Sequence, residues 1–191
     1  MGAALQSRGF RCAGLEARLV AFLFDSVILL AFTAVFATIA LLQLLARSDF
    51  GNNDPPNSSF YLAVALIVAV VPFWLVFNVA LELWRGQTVG KYIVGIKIAR
   101  SDGDDIGWGR AVWRLLVLNP LLFHPLLIVP WALLAVYALS VTVNVVVLIA
   151  IVALVLLSLV ASPVALISIL ADRQRRALHD RIAGTLVVQG A

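Results

Sequence analysis

The chain has 191 residues, 63% hydrophobic and 13% charged, with a mean hydropathy of +1.05. Soluble domains carry about 25% charged residues, and between Arg114 and Asp172 there is no Asp, Glu, Lys or Arg at all; this excludes a soluble fold and indicates one membrane domain in contact with the lipid bilayer. The formal charge of +4 arises from basic residues flanking apolar spans, and with no aromatic-studded basic groove or reader motif it excludes nucleic acid as a partner.

Residues 1–18 form a polar N-terminal segment with Arg8, Arg11 and Arg18 around the single cysteine, Cys12. One cysteine excludes an intrachain disulfide and carries no metal-binding pattern. The first apolar run, 19–45, is far longer than the ~7–15 residues of a signal-peptide core. At 1.5 Å per residue it covers about 40 Å, enough to cross a ~30 Å hydrocarbon layer with tilt. A polar loop follows, whose Asn-Asn-Asp-Pro-Pro-Asn run, 52–57, is a loop signal. The second span covers 60–83.

Residues 84–114 are mixed, Gly-rich and charged. Val94, Ile96 and Ile98 alternate with Gly95, Lys97 and Ala99, which is strand periodicity. Asp102-Gly103 supplies a turn signal, and Ile106 and Trp108 alternate beyond it. The pattern predicts a short β-hairpin on the membrane surface. A helix then starts near Trp108, with Arg110 and Arg114 facing lipid headgroups. Thr185 to Val188, short and β-branched after a helix stop at Gly184, would add a third strand.

The apolar block 115–170 is 56 residues long, room for two spans of ~20 residues each: 115–137 and 145–170. Pro120, Pro125 and Pro130 predict an irregular third span whose freed carbonyls need other partners. The expected fold is thus an all-α membrane protein, a bundle of about four transmembrane helices with a small cytoplasmic β-hairpin element. With four spans, 13 of the 14 Lys and Arg residues fall on one side. The positive-inside rule makes that side cytoplasmic, placing the N-terminus, the 84–114 loop and the 171–191 tail there, in a cell inner (plasma) membrane.

Asp25 is the sharpest chemical signal. A carboxylate six residues inside the first span costs a few kcal/mol unless paired or hydrated, and such residues serve either helix packing or an ion or proton path. A direct bond from Arg18 within the same helix is disfavoured, because the Arg18 side chain projects back toward the N-terminus. A better partner is an arginine or lysine from the basic loop or tail, or a donor from a neighbouring helix, with Arg114 or the 173–181 arginine cluster as first candidates. Glu82 and Arg85 have the i, i+3 spacing of a helical ion pair. His124, in the proline-broken span, could relay protons but has no carboxylate partner visible in sequence and reads first as a satisfied interior group. His179 and Asp180 are adjacent, so their side chains are expected to diverge on a helix, without a metal or catalytic dyad. The run Gly86-Gln-Thr-Val-Gly-Lys91 lacks the glycine spacing and Ser/Thr of a phosphate loop. No Ser/His/Asp order, cysteine cluster or cofactor motif is present, so neither an enzyme nor a bound cofactor is expected.

Three blocks resemble the RDD family of bacterial membrane proteins, named for one arginine and two aspartates: AGLEARLVAFLFD at 13–25, GQTVGKYIVGIKI at 86–98 with Gly103 and Arg114 beyond it, and LHDRIAGTLVV at 178–188. The resemblance makes Arg18, Asp25 and Asp180 the name residues. It implies a role in transport, with cation/proton exchange suggested for some members. The long 115–170 block departs from family members with three spans. Two function classes follow. One is a small transporter or ion-translocation component with Asp25 as its intramembrane site, which at this size implies a homo-oligomer. The other is a membrane accessory or scaffold subunit whose cytoplasmic face docks a partner.

Overall fold

The computed structural model describes residues 11–100, 106–117, 119–141, 145–172 and 174–189. In chain order the elements are β1 (Arg11–Cys12), α1 (Leu15–Arg47), α2 (Asn57–Val68), α3 (Val70–Arg85), α4 (Val89–Val94), β2 (Ile96–Arg100), α5 (Trp108–Leu116), α6 (Ile128–Val141), α7 (Val145–Ala171), α8 (Leu178–Ala183) and β3 (Thr185–Gln189).

Three stretches are long and apolar enough to cross a membrane: Leu15–Arg47, Asn57–Arg85 and Val145–Ala171. Each is hydrophobic around most of its circumference, as membrane spans are. On α1, Leu23, Val27 and Leu30 point outward, while Ala21, Asp25 and Leu29 form a buried stripe at i, i+4, i+8. The second stretch breaks at Ala69, between α2 and α3. Pro72 explains the break, because its ring lacks the N–H that would bond Val68 and crowds that carbonyl.

The expected third span, 115–137, is not one helix. Leu115 and Leu116 end α5, residues 117 and 119–124 are not helical, and a 3₁₀ turn at Pro125–Leu127 leads into the 14-residue α6. The irregular backbone finds partners inside the protein. Trp74 Nε1 donates to the Leu121 carbonyl (3.0 Å), Leu121 N to Asn119 Oδ1 (3.0 Å) and Leu126 N to His124 Nδ1 (3.2 Å). Non-helical chain at membrane depth is tolerable only under such cover. The return between α6 and α7 falls at residues 142–144, outside those described.

The β element also differs from expectation. Val94 closes α4, and Trp108 opens α5, so Ile106–Trp108 supplies no strand. The Asp102-Gly103 turn lies outside the described residues. Instead β2 pairs antiparallel with β3, Ile96 opposite Gln189 and Arg100 opposite Thr185, and β1 pairs with the other edge of β3. The sheet order is β1-β3-β2. The tail strand, expected as an addition, is the centre. Its burial explains this: Thr185 to Val188 are all buried, and Ile96, Ile98 and Val187 share a core with Ala13, Ala21 and Ala111. One sheet therefore ties the chain before α1, the loop after α3 and the tail after α7 to the same end of the bundle.

Candidate functional site

The charged residues of that end form a connected chain. Arg18 on α1 binds Asp180 on α8, Nη1 to Oδ2, at 2.8 Å. Arg114 on α5 reaches the other Asp180 oxygen through Nε (2.8 Å) and Glu82 on α3 through Nη1 (2.8 Å). Lys91 on α4 completes the line, its Nζ 2.8 Å from the same Glu82 oxygen. Arg114, Glu82 and Asp180 are 2%, 3% and 0% exposed. Arg114 was expected at lipid headgroups; only Arg110 of that pair is exposed, because Arg114 faces inward beside Ala111 and Leu115.

Asp25 is buried in the adjoining layer and, among the described residues, no arginine of the expected groups holds it. The Thr88 hydroxyl donates to Oδ2 (2.6 Å) and the Gly90 amide to Oδ1 (2.8 Å). The local sequence explains the geometry. Thr88 is the N-cap of α4, and its Oγ1 also accepts from Lys91 N at 3.3 Å. The first-turn amide of Gly90 is thereby turned outward to an anion, as helix N-termini favour. Glycine is required there, since a Cβ would overlap the Ala21 carbonyl oxygen. With Asp25 included, three carboxylates (Asp25, Glu82, Asp180) face three cations (Arg18, Lys91, Arg114). The set is neutral, the condition under which burial of charge is tolerated.

Burial opposes the charge on Asp180, but Arg114, with Arg18, outweighs it and holds the carboxyl well below the usual carboxylate range. Burial pulls the His179 imidazole down to about 4, leaving it neutral at pH 7. The His179 and Asp180 side chains do approach, Nε2 to Oδ1 at 3.6 Å, because the short α8 folds both inward rather than fanning them apart. At that distance a neutral ring forms neither an ion pair nor a hydrogen bond. Glu82 and Arg85 do not pair as expected. Glu82 turns inward to Lys91 and Arg114, while the Arg85 guanidinium lies 4.4 Å from the Trp84 ring centroid and 5.9 Å from that of Tyr92. His124 is satisfied in the interior. Its Nδ1 accepts from Leu126 N, its Nε2 lies 2.9 Å from Ser26 Oγ, and Phe22 stacks on it at 4.8 Å. Since Ser26 already donates to the Phe22 carbonyl, the assigned tautomer has hydrogen on Nε2.

Above the ion-pair chain lies a cavity of about 410 Å³, walled by α1 from Leu15 to Asp25, by α7 from Ser162 to Ile169, and by Lys91, Arg114 and His179. No group of three His, Cys, Asp or Glu side chains among the described residues is placed to hold a metal.

A model of the RDD family matches residues 12–184. The chain belongs to the RDD family. It is also 28% identical over 179 residues, 93% of this chain and 85% of the other, to an uncharacterized protein, YckC, of Bacillus subtilis (strain 168). No solved structure matches. In this RDD protein Arg18, Asp25 and Asp180 meet at one end of the bundle, the first and last in direct contact. Thr88, Gly90 and Lys91 are donors of the basic loop that the sequence reading did not single out. Thr88-x-Gly90-Lys91, two residues after the helix-ending Gly86, was the available signal: an N-cap threonine with bare amides behind it suits a buried carboxylate.

Proposed function

We propose that the protein is a four-crossing membrane protein of the accessory kind, whose cytoplasmic end is a charge-locked platform rather than one gate of an ion path. The carrying observation is the state of Asp25. Both carboxylate oxygens hold donors from α4, so the residue fastens that segment to α1. On α1 the cavity lining ends at Asp25, and the next buried layer is mainly apolar, built of Leu29, Val70, Val71, Trp74, Leu121 and Leu127. Its polar side chains bond locally, Asn78 to the Trp74 carbonyl, Asn119 to the Arg114 carbonyl and His124 to Ser26, whereas a translocation path would need a continuous hydrated run there.

The topology is supported by the sheet. Two stretches leave it and return, and α7 ends beside it, so the chain from 117 to 141 must cross in the other direction. The 14 residues of α6 cover about 21 Å, and the buried irregular segment before it supplies the rest of a ~30 Å layer. By the positive-inside rule the basic residues favour a cytoplasmic location for this end, in an inner membrane. Reporter fusions after Ser59 are expected to read outside, and fusions at the C-terminus inside; an external C-terminus overturns the topology.

The second reading, ion or proton translocation, draws on the place of Asp25 in the cavity wall. Purified protein in liposomes separates the two. We expect no cation or proton flux above empty liposomes, and Asp25→Asn to lower stability by about 1.5–3 kcal/mol, as loss of buried bonds to a charged group does. Wild-type flux that Asp25→Asn abolishes while the melting temperature holds would establish translocation instead.

A further inference from the structure

The cavity between α1 and α7 has a wall made almost wholly of hydrocarbon. Leu19, Phe22, Leu121, Ala165, Leu166 and Ile169 line it. The charged residues beside them turn their polar atoms elsewhere. Asp25 is held by Thr88 and Gly90, Lys91 and Arg114 bind Glu82, and Arg18 binds Asp180. The other Arg18 nitrogens, Nε and Nη2, are closed off from the cavity. What these residues give the wall is mostly carbon, as the stems of long basic side chains do.

Size and chemistry select the occupant. Water does not fit, because an apolar cavity even of ~150 Å³ stays dry, and this one measures about 410 Å³. Left empty, so large a void would deny its wall the contacts of a packed interior. A second transmembrane helix, about 10–12 Å across with its side chains, exceeds 410 Å³ within its first two turns. Leu19 on α1 and Leu166 on α7 line the cavity and also reach the outer surface, 44% and 36% exposed, so it opens sideways between the two helices. Both are membrane-spanning, and the mouth therefore faces acyl chains. Along α1 the wall runs from Leu15 to Asp25, about 15 Å at 1.5 Å per residue. That is half of a ~30 Å hydrocarbon layer, the depth that one acyl chain covers in its leaflet.

We propose that the cavity holds one acyl chain of a bilayer phospholipid, inserted between α1 and α7 while its headgroup stays among those of the adjacent leaflet. The chain supplies the missing contacts against Phe22, Leu121, Ala165 and Ile169. Being uncharged, it leaves the three-against-three charge set neutral, and it keeps water from the open side of that set. The site rests on the membrane setting of α1 and α7 and not on the platform reading, so it stands whether or not ions cross the protein.

The test uses the full chain in phosphatidylcholine nanodiscs, with a fraction of the lipid carrying a diazirine near the end of one acyl chain. Irradiation gives a carbene that inserts into the groups it touches, and fragment mass spectrometry locates the adducts. Val27 is exposed to lipid and labels in any case. Leu121, Ala165 and Ile169 are buried, and a chain meets them only from inside the cavity. Leu29 and Trp74 are also buried but lie outside the cavity wall. Adducts at Leu121, Ala165 and Ile169 are expected about tenfold above those at Leu29 and Trp74, because only atoms within ~4.5 Å of the chain are in contact with it. Ala165→Phe puts a ring into the cavity and should lower labelling of Leu121 and Ile169 about fivefold, with Val27 unchanged, since a close-packed interior has no room for both. If that variant does not fold, Ala165→Leu takes its place, and the wild-type pattern is decisive on its own. Labelling confined to exposed residues, equal labelling of Leu29 and Trp74, or wall adducts that persist in a folded Ala165→Phe overturns the proposal.

Discussion

Arg114→Leu is expected to destabilise the protein by about 3–5 kcal/mol, the usual effect of removing one member of a buried ion pair. Arg114 is the centre of the charge chain, one guanidinium spanning Asp180 on α8 and Glu82 on α3. Without it two cations, Arg18 and Lys91, face three carboxylates, Asp25, Glu82 and Asp180, and a net negative charge remains where water does not reach. Arg114→Lys keeps the charge but brings one nitrogen in place of two separated donors, so it should fall between wild type and leucine. Adding Glu82→Leu to Arg114→Leu restores the balance and should recover part of the loss, because contacting residues are energetically coupled. Thermal denaturation of the purified protein reads all three. A leucine variant within about 1 kcal/mol of wild type contradicts a network that holds the platform together.

Gly90→Ala is expected to cost about 3 kcal/mol or more, an unusual penalty for one methyl group. The added Cβ would overlap the Ala21 carbonyl oxygen and come within 2.9 Å of the Asp25 carboxylate. The carbonyl belongs to the backbone of α1 and cannot swing aside as a flexible side chain would. Helix α4 must back away, which breaks the Gly90 and Thr88 bonds to Asp25 together. Gly109→Ala is the control. It lies in the first turn of α5 with open space around its Cβ position, so replacing glycine there should be neutral or stabilise by roughly 0.5–1 kcal/mol. Equal melting temperatures for the two variants would refute the clamp.

The membrane class, the three long apolar stretches and the break in the proline-rich segment were legible because each rests on a local signal. An uninterrupted apolar run needs no partner to be read, and three prolines at five-residue spacing disrupt a helix wherever it packs. Gly184 ends α8 in the left-handed region at φ 64°, as expected of a glycine beyond the last helical turn. Asp25 announced itself for the same reason: a carboxylate in hydrocarbon is costly in any fold, so the need for a partner was readable although the partner was not.

The residues alone thus show a helical membrane protein, the segments apolar enough to be buried in lipid, and an Asp25 that needs a partner. Which charge meets which is set by packing across the whole fold. Arg18 and Asp180 are 162 positions apart, Arg114 turns inward rather than to the headgroups, and β3 takes the centre of a sheet whose other strands come from the opposite end and the middle of the chain. The reason is physical. A ladder pairs with whichever strand the folded helices deliver to its edge, and a buried ion selects the counter-ion that packing brings within about 3 Å, so neither choice leaves a trace in the residues flanking it.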